Sequence, residues 1–489
     1  MTVTTNTAAS PSDGYGTKTY RSYVLGSLLL VYIFNFIDRS IINILTEPIK
    51  LAFEVEDWQM GLLGGPAFAF MYTFLGIPIA RLAERYHRVW IITISVAFWS
   101  LMTALCGVAG SFLMLFLFRV GVSVGEAGCT PPSQSLMADY YSPKTRSTAA
   151  SVYALGVPIG TMLAAIFGGT IAEQLTGPAF GSFLGNIGLG ALERAFDWQN
   201  VEGWRLAFIV IGLPGILVAL LVKLTVKEPP RGYTDPSLAN STERVSFLST
   251  LKLLMAKPTY VHIVAGATVT VFANYALNQF TVSFFRRTHD LSQQNASLLF
   301  GIILGGMAAI GVFSSGYLAD KLRERHPTGL TWIPGLALII STPLYVIGFV
   351  TNNIWIAIPP LMAAAALHYF YLGPMYAIAG GVVDSRSRAT SVALSLFAMN
   401  LLGYGLGPPL IGTLSTWLNT RFLSGGDTGL TLDACRDPAL LTDAQVAACS
   451  TANADGLQWS MVIFSCAYAW AGLHYVLARR HFKKDMISL

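Results

Sequence analysis

The chain has 489 residues, of which 53% are hydrophobic and only 12% charged, with a net charge of +5 and a mean hydropathy of +0.55. Lipid rejects charge at roughly 2.5–3.5 kcal/mol per central Lys, Arg or Asp, whereas a water-soluble fold of this length needs a charged surface. The composition therefore implies an integral membrane protein and excludes a soluble enzyme; no nucleic-acid partner is expected.

The first 20 residues are polar and rich in Thr and Ser, without the apolar core of a secretory signal, and are expected to be a disordered cytoplasmic tail. Windows of about 20 mostly apolar residues, the length a spanning helix needs, then recur. They start near Arg21, Gln59, Trp90, Phe112, Ser147 and Trp204, and again near Thr259, Gln293, Trp332, Ile354, Ala389 and Leu457. This predicts an all-α membrane protein of twelve transmembrane helices: a first six-helix bundle over 21–226, a linker over 227–257 and a second bundle over 258–482, before a short tail over 483–489. With the N-terminus inside, 22 of the 31 basic residues fall in the tails and even-numbered loops and 7 in outside loops, which places both termini in the cytoplasm. The compact loops and short tails point to a bacterial inner membrane, and the chain is expected to be a monomer among membrane lipid.

Four ionisable residues sit within the first six spans: Asp38 and Arg39 in the first, Arg119 and Glu126 in the fourth. Such residues must face a cavity or a partner. Arg119 and Glu126 are seven residues apart, so they lie within about 20° of one helix face and about 10 Å apart along its axis. The spans run in opposite directions, which brings Asp38 to the depth of Arg119 and predicts a pair between them. Glu126, without a basic partner on its own helix, is the expected protonatable group, with Asp38 beside it. Arg119 is the expected cation for an anionic headgroup, because a planar guanidinium that stays charged suits phosphate or carboxylate. Arg39, rotated about 100° from Asp38, is expected to bind a neighbouring helix or snorkel outward rather than to hold substrate.

The seventh span offers Asn274, Tyr275, Asn278 and Gln279, and the tenth offers HYFYLGPMY from His368, with Tyr369 as a further contact. A charged wall opposite an amide and aromatic wall suits a ligand with an ionic head and an apolar tail. His368 itself is expected to be a hydrogen-bonded core histidine. Cys106, Cys129 and Cys466 fall in apolar spans, where a buried thiol packs as a small hydrophobe, while Cys435 and Cys449 share a polar outside loop and are expected to form a disulfide.

The two halves repeat faintly. ARLAERYHR from Ala80 follows the second span and GYLADKLRE from Gly316 follows the eighth, and Arg146-Ser147-Thr148 aligns with Arg388-Ala389-Thr390 at the offset that also superposes Pro132 on Pro374. These loops resemble the G-x-L-x-D-R-x-G-R pattern of the major facilitator superfamily; Ala80, Glu84 and His87 depart from it in the first copy, while Arg85 and Arg88 match. The resemblance implies two pseudo-symmetric six-helix bundles and a cytoplasmic latch made by Glu84, Arg85, Arg88 and Asp320. FNFIDRSIIN and RVGVSVGEAGCTPP are similar to the Spinster branch, which implies transport of an amphipathic anionic lipid such as sphingosine-1-phosphate or a lysophospholipid. Alternating access driven by protons would move it, with Arg119, Glu126, Asp38, Asn274, Tyr275, Asn278 and Tyr369 around the substrate and Glu126 and Asp38 exchanging protons. A branch of organic-anion symporters carries a similar acid-Arg pair, so a small organic anion or drug is the alternative. No Walker-type glycine loop suggests a nucleotide-driven pump, and none of the seven histidines stands at HExxH spacing, so no metal, cofactor or enzymatic chemistry is expected.

Overall fold

The computed structural model describes residues 14–142, 145–195, 197–234, 247–384, 387–425 and 430–487. Without water in the hydrocarbon layer, each span must satisfy its backbone within itself, and among the described residues the chain is helical with no strand. Twelve helices are long and apolar enough to cross a bilayer: α1 (Lys18–Ile44), α2 (Asp57–Arg85), α3 (Arg88–Cys106), α4 (Phe112–Tyr140), α5 (Thr148–Gln174), α6 (Gly203–Thr225), α7 (Pro258–His289), α8 (Gln293–Leu318), α9 (Gly329–Val350), α10 (Ile354–Gly381), α11 (Thr390–Gly425) and α12 (Asp443–Ala478). Their wet ends are capped from the sequence. Thr17, Ser111 and Ser292 accept the N–H groups of Tyr20, Met114 and Asn295, and Glu56/Gln59 and Thr442/Gln445 form capping boxes at the starts of α2 and α12.

Two spans break where prolines remove backbone donors. α4 runs as Phe112–Glu126 and Thr130–Tyr140, with Pro131 and Pro132 just after the gap, and α10 passes through a tight turn at Tyr369–Tyr371 ahead of Pro374. The breaks occupy equivalent places in the two halves, as the Pro132/Pro374 correspondence requires. They set Glu126 and Tyr369 at broken helix ends. α8 and α11 each hold one π-helical stretch, Gly301–Gly306 and Met399–Tyr404.

Among the described residues, the polar ties between the halves gather on one face. Opposite the termini, Ile41, Leu45, Met60 and Phe208 of the first half share one apolar core with Phe280, Phe285, Phe300 and Ile411 of the second. Toward the termini the first half keeps a separate core around Leu28, Val96, Trp99, Tyr140 and Val222. Polar ties follow the same division: Gln279 donates to Thr46 (2.9 Å), Gln293 to the Ile44 carbonyl (2.6 Å), and Gln174 to Gln294 (2.7 Å). Backbones touch along the α2–α11 seam, where a Cβ on Gly61 would stand 2.3 Å from the Pro408 carbonyl oxygen and one on Gly412 2.3 Å from that of Asp57. The chain is thus closed opposite its termini and parted toward them.

Three expectations need correction. Residues 14–20 are not a loose tail: the Tyr15 N–H reaches the Asp139 carbonyl (3.4 Å), the Tyr20 hydroxyl donates to the Thr225 carbonyl (2.8 Å), and both rings pack on Tyr140. Residues 1–13 of the expected tail lie outside the described residues. α12 begins at Asp443, well before Leu457, because a polar, capped turn carries the helix beyond its apolar stretch. Cys466 is exposed on the outer surface of the bundle, whereas Cys106 and Cys129 are buried. Cys435 and Cys449 are joined in a disulfide. Of the linker, 227–234 and a helix at Phe247–Met255 are described.

Candidate substrate and proton site

α1 and α4 bring all four intramembrane charges of the first half together. Asp38, Arg119 and Glu126 are fully buried, and Arg39 is nearly so. Their pairing differs from the expected one. Arg119 makes no carboxylate pair: its two terminal nitrogens donate to the main-chain carbonyls of Asp38 (2.9 Å) and Arg39 (3.0 Å). The guanidinium thereby pins the middle of α1 to α4, and its planar fork is committed to the scaffold. Arg39 turns away from Asp38, as the rotation per residue demands, and reaches Glu126 through Nη2 (2.8 Å) and Nε (3.2 Å) on the same oxygen, Oε2. The other oxygen, Oε1, has no protein partner. The Asp38 carboxylate lies beside Trp99 and Thr103 of α3, inside the first half and away from the second.

Arg39 is boxed by rings. Its guanidinium carbon is 4.8 Å from the centre of Phe36, 4.5 Å from Phe68 and 4.9 Å from Tyr72, within the range where a cation gains from an aromatic face. From the second half, the phenols of Tyr275 and Tyr404 come within its electrostatic reach. Those two rings stack at 3.9 Å, and Tyr404 leans on Phe68 at 5.5 Å, so the aromatic cage spans both halves. The π-helical stretch of α11 ends at Tyr404 and sets its ring there. Asn274 donates to the Tyr369 hydroxyl (3.4 Å) on the same wall, and Asn278 follows one turn along α7, half-buried. Tyr376, 41% exposed, faces Tyr72 across the cleft that opens toward the termini. His368 is a core histidine, bonded through Nδ1 to the Tyr345 hydroxyl (2.9 Å).

Among the described side chains, those of the expected latch residues Glu84, Arg85 and Arg88 make no ion pair with the second half. Arg88 is buried within the first half, where it binds Asp139 (2.5 Å), Glu228 (2.6 Å) and the Pro229 carbonyl (3.0 Å), anchoring the linker to α3 and α4. Glu84 and Arg85 are exposed at the end of α2, and the Asp320 side chain lies outside the described residues. Sequence reasoning passed over Phe68, Tyr72 and Tyr404, which look like ordinary lipid-facing aromatics until the helices are placed. It also passed over Glu47, Asp57 and Arg287 on the closed face; an acidic loop after the first span and an Arg286-Arg287 pair were the available signals.

Two six-helix halves around an ion-paired, aromatic cleft define a transporter fold, and the sequence profile of the Major Facilitator Superfamily matches residues 28–408; the chain belongs to that superfamily. Within it, the relatives point to the Spinster branch. A crystal structure of a bacterial homolog of the human lysosomal transporter Spinster, inward-facing and unoccupied, is 42% identical and superposes with a TM-score of 0.89, covering 97% of this chain and all of that one. Protein spinster homolog 1 of Xenopus tropicalis is 26% identical over 81% of this chain and 73% of its own. An MFS-type efflux pump of Mycolicibacterium smegmatis is 30% identical over 80% of this chain and 83% of its own.

Proposed function

We propose that this transporter carries an amphipathic anionic lipid, of the sphingosine-1-phosphate or lysophospholipid kind, together with protons. The observation that carries the reading is the Arg39–Glu126 pair, buried in the first half yet facing the phenols of Tyr275 and Tyr404 of the second. An anionic headgroup competes with Glu126 for the Arg39 fork, since a phosphate offers two oxygens and more charge where Glu126 offers only Oε2. Glu126 is then a buried carboxylate without its counter-charge, and taking up a proton removes that cost. Anion and proton therefore bind together and cross together. Asp38, one residue along α1, is the second exchange group, and Arg119 keeps α1 in register while the charges change. Asn274, Asn278, Tyr275 and Tyr369 meet the polar part of the ligand from the other side, while the aromatic residues along the cleft receive its tail.

The distribution of basic residues supports cytoplasmic termini, and the compact loops and short tails support a bacterial inner membrane; on this reading the open cleft faces inward. Glu84, Arg85 and Asp320 draw together when that side closes. A second reading has one specific support, the similarity to an efflux pump: the cargo is then a small organic anion or drug.

The test is transport of a fluorescent lysolipid or sphingosine-phosphate analogue in proteoliposomes under an imposed pH gradient. Wild-type transport follows the gradient. Arg39→Ala loses on the order of tenfold or more, the worth of a charge-assisted hydrogen bond in a dry site. Glu126→Gln still binds lipid but no longer follows the gradient. A folded wild type that moves a small anionic drug and no lipid establishes the second reading.

A further inference from the structure

On the side opposite the termini, the chain between α5 and α6 reads QLTGPAFGSFLGNIGLGAL over 174–192, a stretch without a charge set between Glu173 and Glu193. It folds as two short helices, Gly177–Asn186 and Gly190–Ala195, turned at Gly188, whose φ of +85° suits glycine. Thr176 caps the first helix by accepting the Ala179 N–H (3.4 Å). The second folds back on it, with the Glu193 carboxylate 2.2 Å from where a Cβ on Gly185 would stand. The inner face of the hairpin is sealed against the protein. Phe180 and Leu184, one turn apart, share an apolar cluster with Leu206 of α6, and a Cβ on Gly181 would stand 2.8 Å from the Trp198 ring. Leu206 is three residues inside α6, so the hairpin is seated about 5 Å below the start of that helix and does not stand off in water.

The outer face is apolar as well. Phe183 and Ile187, one turn apart, and Leu189 expose 54%, 53% and 45% of their surface, and Ala179, Ser182 and Asn186 on the same side are small or neutral. A surface helix in water carries charge on the side away from its core; the helix Gly177–Asn186 has none on either side. A second copy of the chain is a poor cover, since three side chains fall far short of the ~800 Å² that a stable interface buries on each partner. The hairpin hangs instead from a span, α6, whose exposed Leu213 and Leu217 already meet lipid. A helix seated about 5 Å below the end of a span, with apolar side chains facing out, has the depth of one lying at the boundary of headgroups and acyl chains.

We propose that the hairpin is an interfacial anchor, lying in the bilayer leaflet opposite the termini with Phe183, Ile187 and Leu189 among the upper acyl carbons. Glu193 and Arg194 return the chain to water. The partner is the lipid surface itself, held by apolar contact, so binding needs no particular headgroup.

A single fluorescent label on the full-length protein in phosphatidylcholine vesicles tests this without any knowledge of the cargo. In a Cys466→Ser background, Ile187→Cys carries a neutral, environment-sensitive nitrobenzoxadiazole label, and Glu54→Cys, exposed on the same side, is the aqueous control. The label at 187 emits to the blue of the control, is quenched at least about twofold more by phospholipid spin-labelled near the headgroup, and is quenched at least about twofold less by aqueous iodide. Asn186→Cys, a change at an exposed polar position on the same side of the helix, gives the same result and serves if Ile187→Cys does not fold. A label at 187 that iodide reaches as readily as the control leaves the hairpin in water and overturns the anchor. Protection from iodide without quenching by the spin-labelled lipid puts protein on this face and overturns it too; if that protection is lost on dilution to single copies per vesicle, the cover is a second copy of the chain.

Discussion

Arg39 and Arg119 carry the same charge a few ångströms apart and differ in what their nitrogens touch. Arg119 holds two main-chain carbonyls, which cannot be displaced by a ligand; Arg39 holds one carboxylate, which can be neutralised by a proton. Arg119→Ala therefore costs about 3 kcal/mol of stability, two charge-assisted hydrogen bonds at about 1.5 kcal/mol each, and shows as a lowered melting temperature in detergent. Arg39→Ala keeps its fold and loses transport. The sequence made the four charges and the 100° rotation of Arg39 legible; it did not show which helix stands on that side, because that depends on tertiary packing. Glu47 gives a prediction in pH. Burial pushes its carboxyl up, but Arg287 and Lys50 outweigh that and hold it below its ordinary value of 4.5. A depressed carboxylate stabilises the folded contact above its ordinary range and loses that contribution only as pH falls through the depressed value. Protection at 45–57, once exchange is corrected for the pH dependence of the intrinsic rate, thus stays level from pH 8 to about pH 5 and falls only under stronger acid, as a hydrogen–deuterium exchange series in pH would record.

Among the elements, the repeat superposes Pro132 on Pro374, and the structure finds a helix break beside each, which the sequence reading did not draw from them. The start of α12 was hidden, since hydropathy windows see the lipid-facing stretch and not a polar helix continuing past it; the Thr442/Gln445 capping box was the local clue. Glycines permit close helix approach, but the sequence does not say which helices meet at them. The structure places Gly61 and Gly412 on the α2–α11 seam, so Gly61→Val, which drives its side chain into the Pro408 carbonyl, prevents the seam from closing and speeds exchange at 57–64. In this state Arg88 binds within the first half and its linker. Its bonds to Ser135, Asp139, Glu228 and Pro229 tie the linker to the first half, and Arg88→Ala leaves Asp139 buried without its cation. Limited trypsin digestion then cuts after Arg231 sooner than in wild type, while Arg85→Ala digests at the wild-type rate.

For the whole molecule, composition and periodicity reached the class and the number of spans, and the loop repeat reached the two-half plan. They could not reach the conformational state. That became visible only through the shared core and the polar ties gathered on one face, features made by residues far apart in the chain, such as Thr46 with Gln279 and Glu47 with Arg287. The cysteine inventory has a practical corollary. Cys106 and Cys129 are enclosed by protein, Cys435 and Cys449 are spent on each other, and Cys466 sits on a spanning helix, where a thiol meets acyl chains and not the aqueous base that would make it a nucleophile. The native chain is therefore silent toward charged, water-borne maleimides. One cysteine placed at exposed Glu54 or Tyr86 would report alone on its side of the bilayer, fixing which compartment each face sees without first stripping the protein of its own thiols.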